Sequence, residues 1–113
     1  MKKTPRQKII KKLDDLVRKN VKSKGHCERC FRKADEVQLQ VAHIYSRKYN
    51  HLRWDYENLL CLCASCHFWW HLNPAEAIIW VGEIRDLNYL KTLRQNVRPI
   101  KTFELEQLYK LRT

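Results

Sequence analysis

The apolar positions of the first segment recur at helical spacing. Ile9, Ile10, Leu13, Leu16 and Val17 share one side of Thr4–Asn20, with Lys8, Lys11, Lys12, Asp15, Arg18 and Lys19 on the other. Pro5 fits the first turn of the helix this predicts. A turn from Lys22 to Gly25 leads into a short knuckle at His26–Cys30. From Glu36 to Ile44 the period falls to two: Val37, Leu39 and Val41 alternate with Glu36, Gln38 and Gln40, as in a half-buried strand. A polar loop over Ser46–Asp55 precedes the apolar run Leu59–Leu62, a second strand. Cys66–Leu72 reads as a helix, which Asn73 and Pro74 stop while starting another, with Asn73 as cap and Glu76 three residues on. Ala77, Ile78, Val81 and Ile84, with Trp80, form its expected core face. Thr102 is expected to cap a last helix carrying Leu105, Leu108, Tyr109 and Leu111.

These elements define an α+β chain of 113 residues, the size of one domain. The expected divisions are a basic N-terminal helix (1–25), a hairpin-and-helix core (26–72) and a helical extension (73–113). The chain is 44% apolar with 2 Gly and 3 Pro, a folding composition. No apolar run is long enough for a membrane helix, and the Lys-rich start lacks the apolar stretch of a signal peptide. The expectation is a cytoplasmic protein with no membrane partner. Charge is lopsided: residues 1–33 hold 13 Lys/Arg against three acids, the rest 10 against 9. A basic end on a nearly neutral body suits phosphate binding by counterion release, although a solvated helix face would look the same.

Four of the five cysteines form two Cys-x-x-Cys pairs, Cys27/Cys30 and Cys63/Cys66. In a cytosolic-looking chain this spacing favours zinc over disulfides, and four thiolates make a closed structural shell. Redox chemistry would need one such pair in a βαβ setting, which is lacking. Pairing Cys27 and Cys30 with His67 and His71 is the other ligand set, but the intervening stretch far exceeds that of a zinc finger. Four cysteines are preferred. Cys61 is then a spare apolar cysteine and His26 a loop residue.

Between the pairs lie Val41-Ala42-His43-Ile44-Tyr45-Ser46-Arg47, Arg53-Trp54-Asp55, Glu57-Asn58-Leu59-Leu60 and Leu62-Cys63-Ala64-Ser65-Cys66-His67. Over roughly residues 26–71 this resembles the HNH endonucleases: a strand ending in His-Ile, Asn before Leu, then Leu-Cys-x-x-Cys-His opening a helix. His-Ile-Tyr-Ser-Arg, Arg-Trp-Asp and the Asn73-Pro74 exit are similar to the small phage-type branch that includes NinG-like recombination nucleases. The resemblance implies a ββα-metal fold with a treble-clef-like zinc staple and metal-dependent DNA cleavage, leaving 5′-phosphate and 3′-hydroxyl ends. It implies His43 as general base, Asn58 as the residue orienting loop and imidazole, and His67 as ligand of a catalytic Mg²⁺ or Mn²⁺. Such chemistry needs an activated water, a cation and held geometry.

One position departs from the family pattern. Ala42 stands where many members carry a second metal ligand just before the catalytic histidine. His71, four residues after His67 on the same helix face, is the candidate replacement. His67-Phe68-Trp69-Trp70-His71 is not a metalloprotease motif, since Phe68 replaces the essential Glu. His51 is expected in the loop. Trp54, Trp69, Trp70 and Trp80 are expected mainly in the core, with base stacking as the rival role. Arg47, Lys48 and Arg53 are expected to meet DNA backbone, with pairing of Arg53 to Asp55 as the alternative.

Three functions compete: a DNA endonuclease, a zinc module that only binds nucleic acid, and an interaction module docking through 74–113. Double-stranded or branched DNA, a homodimer, and phage packaging or recombination partners in a host cytoplasm are all compatible with the sequence.

Overall fold

A computed structural model describes residues 2–48 and 50–113. Met1 and Tyr49, the latter inside the loop expected over Ser46–Asp55, lie outside the described residues. Helix α1 spans Pro5–Lys22. Thr4 Oγ1 accepts from the Gln7 N–H (3.1 Å) and the Gln7 side chain accepts from the Thr4 N–H (2.9 Å), a reciprocal cap over Pro5. Ile9, Leu13, Val17 and Val21, four residues apart, form its buried stripe. The helix outruns the expected Asn20 by two residues, and Val21 adds a turn of core. Leu16 and Ile10 are half-buried at the border.

Strands β1 (Leu39–His43) and β2 (Leu59–Cys63) form an antiparallel hairpin pairing Leu39 with Cys63, Val41 with Cys61 and His43 with Leu59. The first strand starts three residues later than its alternation predicted. Residues 33–37 are spent on turns that return Glu36 and Val37 N–H to the Lys33 carbonyl. Every residue of β2 is buried, the mark of a strand covered on both faces. Helix α1 packs on one side, and α3 (Ala64–Leu72) contacts both strands. Between the strands, the expected loop contains a four-residue helix α2 (Asn50–Arg53), and a 3₁₀ turn (Tyr56–Asn58) follows it.

Helix α3 starts at Ala64, not Cys66, because Cys63 caps it: Sγ accepts from the Cys66 N–H at 3.4 Å. Helix α4 (Pro74–Ile84) begins at the predicted Pro74, but Asn73 makes no side-chain cap to it. Its Nδ2 donates instead to the Trp69 carbonyl (3.1 Å), closing α3. Ala77 and Val81 are buried as expected, whereas Ile78 and Ile84 are exposed because α4 packs along a narrower stripe. Helix α5 (Leu87–Gln95), capped by Asp86, was not foreseen. In α6 (Thr102–Arg112), Thr102 is the first helical residue, not the cap; the Glu104 carboxylate accepts from the Lys101 N–H at 2.8 Å. Leu105 is fully buried against the core, but Leu111 is exposed. α6 lies against α1. Among the described residues, no helix is long and apolar enough to cross a membrane.

Candidate active site

The knuckle brings Cys27 and Cys30 beside Cys63 and Cys66. Gly25 (φ +79°) turns the chain out of α1, and Phe31 takes a left-handed conformation (φ 65°). The Phe31 N–H then donates to the Cys27 carbonyl and the Cys27 N–H to that of Arg32, both at 2.9 Å. The four sulfurs all lie within 4.8 Å of one another, with Cys30 exposed and the others buried. None is in a disulfide. Cys30 and Cys63 Sγ are 3.7 Å apart, close to the edge of about 3.8 Å expected for a tetrahedron with bonds of about 2.3 Å. The cluster therefore fits a zinc-type ion. Burial pushes the Cys27 thiol up, but main-chain N–H groups outweigh it and bring it down to about 7. Burial pushes Cys66 up to about 12. Four sulfurs so disposed would repel as bare thiolates, and a cation at their centre removes both penalties.

Arg29, between the first two ligands, was not singled out by sequence reasoning. Its Nη1 lies 3.5 Å from Cys66 Sγ, and its guanidinium sits 3.5 Å over the Trp69 ring. Glu28 accepts from Arg85 Nη2 (3.0 Å) and from Lys24, while Arg85 also reaches the Leu59 carbonyl at 3.0 Å. These contacts tie the end of α4 to the knuckle and to β2. Cys61 is fully buried and pushed up to about 11 by burial, an inert packing thiol as expected.

Beside the staple lies a cleft of about 790 Å³ lined by His43, His67, His71, Arg47, Arg53 and Trp70, and by Asp14, Arg18 and Lys22 of α1. The hairpin, α3 and α1 thus each provide a wall. His67 and His71 sit one turn apart, with their Nε2 atoms 3.2 Å from each other. The His67 Nδ1–H donates to Gln40 Oε1 at 2.8 Å, which fixes the tautomer and leaves Nε2 with its lone pair. Gln40, on β1, is a partner the sequence reading did not name; its position on the polar side of the strand was the available signal. Ala42 shares that strand face by alternation and is buried.

Asn58 is fully buried. Its Oδ1 accepts from the Tyr45 N–H (2.8 Å), and its Nδ2 donates to the carbonyls of Tyr45 (3.0 Å) and Leu52 (3.0 Å). It therefore braces the chain leaving β1 against α2. Its side-chain bonds go to main chain, not to the imidazole. Arg53 does not pair with Asp55: its Nε (3.0 Å) and Nη2 (2.5 Å) donate to Asp14. Asp55 instead caps the 3₁₀ turn and accepts from the Tyr89 hydroxyl. Lys48 is exposed next to Arg47, and His51 meets the Arg98 carbonyl at 3.1 Å. Trp54 is buried as expected, while Trp70 lines the cleft.

Burial holds the His43 imidazole below its usual range, with the Arg47 charge acting the same way; Asp14 and a hydrogen bond to the Arg53 main chain pull against them. This favours the neutral imidazole, the form able to accept a proton.

Residues 27–68 match the family model described as HNH endonuclease, just over a third of the chain. No curated protein and no solved structure matches. The matched segment opens on the first staple cysteine and takes in His43, Asn58 and His67, whereas His71 and all of α1 fall outside it.

Proposed function

We propose that this protein is a metal-dependent DNA endonuclease that nicks one strand per visit. The observation that carries the reading is the convergence of His43 with the His67/His71 pair in one cleft that Arg47, Arg18 and Lys22 also line. His43 takes a proton from a water molecule, whose oxygen bonds to phosphorus as the P–O3′ bond breaks. The departing oxygen gains a proton from solvent, leaving 5′-phosphate and 3′-hydroxyl ends. A divalent cation would stabilise charge building on that oxygen. His67 and His71 would hold it, since 3.2 Å suits neighbouring nitrogens around one ion with bonds of about 2.1 Å. Gln40 keeps His67 in the binding tautomer, and Asn58 holds the chain after β1. Arg47 and Lys48 would meet the phosphate backbone, with Arg53 presented alongside from its tie to Asp14. A donor pair of two imidazoles without a carboxylate favours a transition ion such as Mn²⁺ over Mg²⁺. The similarity of His43–Arg47 to phage-type recombination nucleases makes branched DNA the first substrate to compare with duplex.

The test is nicking of supercoiled plasmid and of a four-way junction by zinc-loaded protein across a metal series, beside an EDTA control. Metal-dependent nicking with Mn²⁺ ahead of Mg²⁺ is expected. A folded, zinc-loaded protein that binds DNA but cuts neither substrate would instead be a binding module, with Ala42 as the reason.

Two further results are expected at this site. His71→Ala should weaken activating-metal affinity by at least the roughly 10- to 100-fold that losing an outer-shell partner costs. A metal titration of nicking reads this out, and an unchanged midpoint would remove His71 from the ligand set. Because burial and Arg47 disfavour the protonated imidazole, kcat should rise with pH through an inflection below about 6.5. Arg47→Ala should move that inflection to higher pH, since it removes a charge that lowers the His43 pKa.

A further inference from the structure

Among the described residues lining the cleft, Asp14 is the only acid, and it comes from α1, outside the family-matched segment. Its side chain is 21% exposed, and both carboxylate oxygens accept hydrogen bonds. Oδ1 accepts from Arg53 Nε (3.0 Å) and from the Trp54 indole N–H (2.8 Å), and Oδ2 accepts from Arg53 Nη2 (2.5 Å). Charge-assisted bonds of this kind, made twice by one guanidinium, fix direction as well as distance. The residues it grips stand beside the base: Arg53 and Trp54 line the cleft together with His43. The same segment is held from the other side, where Asn58 Nδ2 donates to the Leu52 carbonyl at 3.0 Å. Leu52 and Trp54 are buried, so the short stretch cannot shift without breaking core contacts.

We infer that Asp14 is a positioning residue for His43, acting through Arg53 and Trp54 to hold the cleft wall beside the imidazole in place. The N-terminal helix then completes the site in addition to carrying charge to DNA. Asp14 touches neither the water nor the phosphate in this arrangement. Its catalytic consequence rests on the nuclease reading, whereas the orientation of the ring does not.

The experiment uses the full-length, zinc-loaded chain labelled with ¹⁵N, comparing wild type with Asp14→Ala, Asp14→Asn and Asp14→Glu. Long-range ¹H–¹⁵N spectra report the His43 ring tautomer, and plasmid nicking gives kcat and KM. In wild type the His43 ring nitrogens should show one neutral tautomer. Asp14→Ala should average the two tautomers and lower kcat by roughly tenfold to a hundredfold with little change in KM, as for a small misplacement of a reacting group. Asp14→Glu should recover part of both. Zinc content is measured throughout, and Asp14→Asn, which keeps the side-chain volume, decides the matter if Asp14→Ala loses zinc. Unchanged His43 signals and kcat in a zinc-loaded Asp14 variant would overturn the inference. If wild type does not nick but Asp14→Ala still frees the ring, the positioning stands and the nuclease reading falls.

Discussion

Stripping the four-cysteine cluster with a strong chelator, or replacing Cys63 by Ser, should abolish the cooperative fold. A structural zinc site contributes about 10–16 kcal/mol of apparent binding free energy, against a total stability of about 5–15 kcal/mol for a whole domain. The site joins the knuckle to the junction of β2 and α3, since Cys63 closes β2 and also caps α3. Its loss would free the knuckle, the strand end and the helix start together. Without the ion, burial of Cys27, Cys63 and Cys66 leaves poorly solvated thiols beside one another. Circular dichroism during EDTA or TPEN titration should show loss of helix together with zinc release, reversed by added Zn²⁺. Retention of a sharp thermal transition in zinc-free protein would contradict this account. Cys61→Ser serves as the contrast: it should keep zinc and lose only packing, because Cys61 stands outside the cluster.

His43→Ala should reduce nicking by about 10²- to 10⁴-fold, the usual contribution of a positioned general base, with zinc content and melting temperature nearly unchanged. The side chain is half-buried at the end of β1, opposite Leu59, so truncation removes little core. Its value lies in its setting at the cleft, where burial and Arg47 disfavour the charged form. DNA affinity should therefore persist, because Arg47 and the α1 cations remain. Gel-shift and cleavage assays on the same preparation separate the two effects. Equal cleavage by wild type and His43→Ala would move the base to another group, and equal loss of binding and cleavage would make His43 a contact residue.

Much of the site was legible because its chemistry is written in local spacing. Cys-x-x-Cys places two sulfurs on one knuckle or helix start whatever surrounds them, and His67 and His71 share a helix face by the period of the helix alone. The partners of those residues were not legible. Gln40 reads as an ordinary polar strand position until α3 crosses β1 and sets His67 against it. Arg29 reads as one more cation until Trp69 lies under it. Asp14 looks like a solvated acid on a basic helix, although its place beside Leu13 at the edge of the apolar stripe was a signal. Asn58 was expected to orient both the loop and the imidazole; its bonds run to the main chain of Tyr45 and Leu52, on the loop side.

Taken by itself, the amino-acid sequence determined the periodic elements, the two cysteine pairs, the order of His43, Asn58 and His67 along the chain, and the excess positive charge at one end. These depend on residues within a few positions of one another, where backbone geometry leaves few choices. The tertiary structure alone decided which faces are covered. It sends Ile78, Ile84 and Leu111 to solvent while burying both faces of β2, because a strand packed between layers has no exposed side. It also brings Asp14 to Arg53 across 39 residues, making a helix outside the matched segment a wall of the cleft. Contacts across such separations depend on how layers stack, and no local period encodes that stacking.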